Sequence, residues 1–175
     1  MKKLVSNLMN IVAIVISVLT YIFLSQAHLT MTVDSVLGSA SESAANGYDI
    51  IQNFVDASDS KEVMVAVSLI FVTIFAAFII LCATINLLAN FGIIKSAKIS
   101  RMSNFVNIAS AVIMFVFCAI GMFIMVDLCK TGVEFTGFSA KATVGWAFIL
   151  NFILALGAVL ATIFASLTSK GKKRK

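Results

Sequence analysis

The sequence predicts an all-α integral membrane protein, a four-helix transmembrane bundle with both termini cytoplasmic. Three observations predict it. Of the 175 residues 61% are hydrophobic and only 12% charged, where a soluble domain carries about a quarter charged residues. Four apolar runs are long enough to cross a hydrocarbon layer of about 30 Å, which takes ~20 helical residues. The remaining charges are sorted by sign along the chain. The chain reads as a single membrane domain with spans at about 4–24, 63–92, 103–126 and 144–167, outer loops at about 25–62 and 127–143, and a basic tail at 168–175.

The first run follows Lys2-Lys3 and reads LVSNLMNIVAIVISVLTYIFL. A signal peptide cut before His28 is the competing reading, with Ser25 and Ala27 as its small residues, but such an apolar region is normally only about 7–15 residues long. A retained helix is therefore expected. Tyr21 and Phe23 stand near its outer end, where aromatic rings favour the interface. The polar stretch that follows holds Asp34, Glu42, Asp49, Asp56, Asp59 and Glu62. Its centre, GSASESAANG, reads as a flexible loop. Leu29, Met31 and Val33 alternate, which suggests a short strand. Tyr48, Ile51 and Val55 recur at helical spacing opposite Asp49 and Asp56, which suggests an amphipathic helix of about three turns.

The second run has no charge between Glu62 and Lys95. It is apolar on every face, as a lipid-facing or deeply buried helix must be. A basic turn, KSAKISR, joins it to the third run. A second polar loop, DLCKTGVEFTGFSAKAT, leads to the fourth run, which opens near Trp146.

Charge sets the orientation. The two ends and the basic turn hold Lys2, Lys3, Lys95, Lys98, Arg101, Lys170, Lys172, Lys173, Arg174 and Lys175, and no acid. The two other connections hold every acid and only Lys61, Lys130 and Lys141. Cytoplasmic loops collect Lys and Arg, so the acidic connections are expected outside or in a lumen. The net charge of +5 is then an orientation signal and no nucleic-acid patch. Lys172, Lys173, Arg174 and Lys175 are expected to contact anionic lipid, where each charge near the surface is worth about 1 kcal/mol. In a eukaryotic chain Lys172 and Lys173 would also resemble a dilysine endoplasmic-reticulum retrieval signal, the plasma membrane being the other expected location.

No span carries Asp, Glu, Lys, Arg or His. Such residues mark proton relays and ion paths, so a proton-coupled pump or intramembrane hydrolase is not expected. The spans hold asparagines instead. Asn10, Asn86, Asn90 and Asn107, with Asn7 and Asn104 beside them, lie toward the cytoplasmic ends. Asn10, Asn86 and Asn107 are expected at one level, hydrogen-bonding between helices or lining a polar vestibule. Asn151 stands apart in span four and reads as packing glue. Gly157, Ala161 and Ala165, flanked by Ala158, Thr162 and Ser166, form small-residue rows that let a helix approach closely. The expected partner is span two or three, or another subunit.

The single histidine, His28, reads as an interface residue, since one histidine makes no metal site. Cys82 and Cys118 fall inside spans, and Cys129 is the one cysteine on the outer side, open to an intermolecular disulfide. Asp56, Asp59 and Glu62 recur every third residue without the calcium-loop pattern and read as a solvated face. No phosphate-cradling glycine loop, zinc helix or nucleophile elbow occurs, so no catalytic residue, metal or cofactor is expected.

Four spans, cytoplasmic ends, a longer first outer loop and a shorter second one resemble the layout of claudin-like four-span proteins. The resemblance ends at layout, because the first outer loop has neither the tryptophan nor the cysteine pair of that family. The small multidrug transporters carry a glutamate in span one, and none is present here. The sequence therefore predicts a non-enzymatic multi-pass membrane protein that acts through helix and outer-loop contacts: a scaffold, assembly factor or accessory subunit, with a homo-oligomer or another membrane protein as partner. The alternative is a small passive channel or transporter with its polar path at the asparagines.

Overall fold

The computed structural model describes residues 2–35, 38–53, 60–130, 133–135 and 138–169. The elements are α1 (Lys2–Leu24), β1 (Ala27–Ser35), β2 (Gly38–Asn46), α2 (Gly47–Gln52), α3 (Ser60–Phe91), α4 (Ala97–Leu128), β3 (Val133–Phe135), β4 (Phe138–Val144) and α5 (Trp146–Ser169). By length and composition α1, α3, α4 and α5 can each cross a membrane.

All four long helices expose large apolar side chains, and α1 and α4 show most clearly what they turn inward. In α1 the buried positions are Ser6, Asn10, Ala13, Ser17, Thr20 and Leu24, spaced three and four apart. Leu4, Leu8, Ile11, Val15, Val18 and Ile22 are exposed. The inner stripe is small or polar and the outer one large and apolar, which reverses the order of a helix packed for water. In α4, Ser103, Asn107, Ser110, Ala111 and Cys118 are buried while Phe105, Val116 and Phe123 are exposed, Phe123 by 78%. Small inner residues let helix backbones approach, and hydroxyls find partners within the bundle.

α3 ends on Gly92, whose φ of 84° lies in the left-handed region that a side chain disfavours. Gly92 N–H donates to Ala89 O and Ile93 N–H to Leu88 O, which satisfies the last carbonyls of the helix. α4 then starts at Ala97 with Ser96 Oγ accepting from Ile99 N–H. The basic turn is thus shorter than its sequence suggests, because KISR holds no helix breaker and simply joins the helix.

The chain divides into two compact units. One comprises Met1–Thr20, Val72–Val116 and Ile153–Lys175. In it Ser6 Oγ donates to Ala165 O and Ile16 stands against Gly157, so α1 and α5 run antiparallel. Ser103 Oγ donates to Cys82 O, joining α4 to α3.

The other unit comprises Tyr21–Phe71 and Phe117–Phe152. It holds an antiparallel sheet of order β2-β1-β4-β3. β1 pairs with β2 from the same connection and with β4 from the other, Leu29 opposite Val144 through Ser35 opposite Phe138. The sheet corrects the all-α expectation. The alternation of Leu29, Met31 and Val33 was a strand signal, but the stretch at 38–46 is small and polar and the expected loop is strand β2. Backbone pairing with β1 holds it, and no side-chain pattern betrays it. The second polar connection likewise becomes β3 and β4. α2 is shorter than the expected three-turn helix. Asn46 caps it by accepting from Asp49 N–H, with Asp49 Oδ2 accepting in return from Asn46 N–H. Phe54, Val55, Asp56 and Asp59 lie outside the described residues. Leu24, Val65, Leu69, Met125 and Phe148 form the core of this unit.

Candidate functional site

Asn10, Asn86 and Asn107 are buried and Asn90 is half-buried, but they do not meet as expected. Asn90 Nδ2 donates to Asn7 Oδ1 at 2.8 Å and to Ser6 Oγ at 3.3 Å, so the interhelical amide bond runs from α3 to α1 through Asn90 and Asn7. Asn10 Nδ2 donates to Ser6 O within its own helix, leaving its Oδ1 without a partner. Both amide atoms of Asn86 and Oδ1 of Asn107 are buried and unpartnered. Hence Asn86 is hydrogen-bonded to neither of the other two. The register explains it. The Ser103–Cys82 bond fixes α4 against α3. Asn107 is one turn from Ser103, leading away from the Gly92 turn, and Asn86 is one turn from Cys82, leading toward it. The two amides therefore stand about two turns apart along the helices, ~11 Å.

The small-residue face of α5 meets α1 at Gly157 and Ala165, a helix not among those expected from sequence. A Cβ on Gly157 would lie 3.3 Å from Ile16 Cδ1, and Ser6 bonds the Ala165 carbonyl. Ala158, Ala161, Thr162, Ala165 and Ser166 are all buried. The basic residues Lys172, Lys173, Arg174 and Lys175 lie outside the described residues.

His28 is the main correction. It is fully buried and is no interface residue. In the β1–β2 ladder Ala27 pairs with Asn46 and Leu29 with Ala45, so His28 is the extra residue of a bulge. A bulge turns a side chain out of the regular alternation, and here it directs the imidazole inward. Nδ1 lies 2.8 Å from Gln26 O and Nε2 3.2 Å from Asn151 Nδ2. The carbonyl can only accept, so Nδ1 carries the proton. Nε2 then accepts from the Asn151 amide. The ring stands edge-on to Phe148 at 5.3 Å. Burial pushes the pKa of His28 below its ordinary 6.5, the Gln26 carbonyl pulling it partly back. Asn151, read as isolated glue, is the partner of this histidine, and its own Oδ1 remains unpartnered.

Two glycines make room for the arrangement. Gly145 N–H donates to His28 O at 2.7 Å, and a Cβ there would collide with the Ala27 carbonyl. A Cβ on Gly47 would come within 2.8 Å of Leu24 and 3.1 Å of His28. No local pattern in the sequence reveals the His28–Asn151 pair, whose members are 123 residues apart.

The same unit holds a cavity of about 460 Å³ under the sheet, lined chiefly by Leu29, Ile50, Val65, Met125 and Leu128, with Glu62 and Cys129 also on its wall. Cys129 is half-buried, and burial raises its thiol pKa. A thiol so held stays protonated at neutral pH and is a poor nucleophile. Beside it Lys61 Nζ meets Asp127 Oδ2 at 2.6 Å, both side chains about half-exposed. In the other unit a polar cavity of about 420 Å³ lies at the ends of α1, α3 and α5, with Lys2, Lys3, Asn90, Thr168 and Ser169 on its wall.

No protein-family model matches the chain, and no curated protein matches it in sequence.

Proposed function

We propose that the protein is a non-enzymatic multi-pass membrane protein that works through contacts, with both termini cytoplasmic and the sheet outside or in a lumen. The observation that carries the membrane part is the exposure of large apolar side chains along all four long helices, sharpest in α1, whose inner stripe is mostly small or polar. So much exposed apolar surface is untenable in water and ordinary in lipid. The segregation of charge supports the orientation, since the acidic connections carry the sheet. The contact element is the sheet. Among the described residues its edge strand β2 pairs on one side alone, and a free strand edge offers a row of backbone donors and acceptors to a partner strand.

The test is purification in mild detergent followed by mass measurement by light scattering, with any co-purifying chain identified. A fixed oligomer or a second subunit supports the contact reading. A clean monomer with no partner counts against it.

A passive channel or transporter is the second reading, favoured by the buried amide atoms without a partner, Oδ1 of Asn10 and of Asn107 and both atoms of Asn86. Buried polar groups are ordinarily satisfied, and water along a path would satisfy these. Its test is flux into liposomes. An unchanged flux after Asn86→Leu and Asn90→Leu removes this reading.

A further inference from the structure

We propose that the polar cavity at the amino-terminal end of α1 holds the headgroup of a phospholipid bearing an anionic phosphate and a hydrogen-bond donor, a hydroxyl or an amine. The inference rests on the membrane reading above and adds a place and a chemistry to it. The cavity brings together Lys2 and Lys3 from α1, Asn90 from α3, and Thr168 and Ser169 from α5. No acid stands on its wall, and among the described residues neither lysine has an ion pair. Both lysines are exposed in the first turn of α1, where free backbone N–H groups and the helix dipole also favour an anion.

The remaining polar groups select the rest of the ligand. Thr168 Oγ1 donates to the carbonyls of Phe164 and Ala165, at 2.8 and 3.1 Å. Ser169 Oγ donates to Ser166 O at 2.8 Å. The Asn90 amide hydrogens go to Asn7 and Ser6. With their hydrogens committed, these groups have only oxygen lone pairs left to offer. The cavity therefore sets two ammonium donors against a rim of acceptors. A phosphate diester with no further hydroxyl or amine satisfies the first alone, and a choline headgroup likewise has no donor for the second. A phosphate joined to glycerol, inositol or an amine satisfies both. Leu4, Phe91 and Leu167, exposed by 73%, 68% and 60%, give the acyl chains an apolar surface at the same helix ends.

The experiment uses the full chain in phosphatidylcholine nanodiscs, with thermal midpoint and lipid retained in native mass spectrometry as readouts. Phosphatidylglycerol is added in one arm and phosphatidylmethanol, equally anionic but without a headgroup donor, in another. Soluble glycerol phosphate is the third arm. The expected result is a higher midpoint and a retained lipid with phosphatidylglycerol, and a smaller gain with phosphatidylmethanol. Lys2→Gln with Lys3→Gln should abolish the gain, and Lys2→Arg with Lys3→Arg should keep it. Neutralising Lys172, Lys173, Arg174 and Lys175 to Gln should also keep it, separating the cavity from attraction by the tail. Equal gains from the two anionic lipids, or a gain lost with the tail and kept without Lys2 and Lys3, would overturn the proposal. A gain from soluble glycerol phosphate alone would assign the cavity to a free phosphate ester and overturn the lipid. Failure to enter nanodiscs at all would instead defeat the membrane reading.

Discussion

At the scale of single residues, His28 does the most for the least visible reason. A neutral imidazole held by one carbonyl and one amide is stable only while it stays neutral. Its folded pKa lies below the ordinary 6.5, so as pH falls the unfolded chain takes up the proton first. The contribution of His28 is complete above about pH 6.5 and is lost as pH drops toward the folded value. The thermal midpoint should fall between pH 7.5 and pH 5, and His28→Gln should flatten that slope. Asn151→Leu leaves Nε2 buried without a donor, a loss of about 1–3 kcal/mol, readable in the same melts at pH 7.5. Gly145→Ala forces a methyl into the Ala27 carbonyl and should destabilise by about 1–3 kcal/mol, the usual cost of overpacking. Asp127→Asn breaks an ion pair that is half-exposed on both sides, so it should change the midpoint little, because water screens such a surface pair.

At the scale of elements, the helices were legible and the sheet was not. Long uncharged runs such as 63–94 announce themselves by composition alone, and the ends of α1 and α3 fall within a few residues of the expected spans. β1 was half visible through Leu29, Met31 and Val33. β2 was hidden because Gly, Ser and Ala carry no alternation, and its strand character comes from a neighbour it pairs with. The asparagine level was misjudged for a related reason. Lying toward the same end of the spans does not fix a level, whereas the Ser103–Cys82 bond sets where α4 sits against α3. The small-residue rows of α5 predicted close approach, with span two or three or another subunit expected as the partner, and α1 is the helix that stands against Gly157. Because that helix is α1, Ala165→Leu should disturb the Ser6 bond and lower the thermal midpoint of the monomer, whatever its oligomeric state.

At the scale of the whole molecule, orientation is the first thing to measure. Cysteines placed at Ser96 and Met31, in a background without Cys82, Cys118 and Cys129, should label from opposite sides of sealed vesicles, Ser96 from the cytoplasmic side. Labelling of Ser96 from outside would reverse the topology. The pairing of β1 with β4 has a further consequence, in time. Leu29 lies opposite Val144, so β1 must wait for most of the chain to be made before its second neighbour exists. Contacts that close such long loops form late, and until then β1 is a bare edge of the kind that recruits chaperones or aggregates. β4 leads directly into α5, so the sheet closes only once the last span is in position. A nascent chain halted before Gly145 should therefore be cut by protease at β1, and one released after Ser169 should resist. In that sense the closed sheet reports that α5 has arrived.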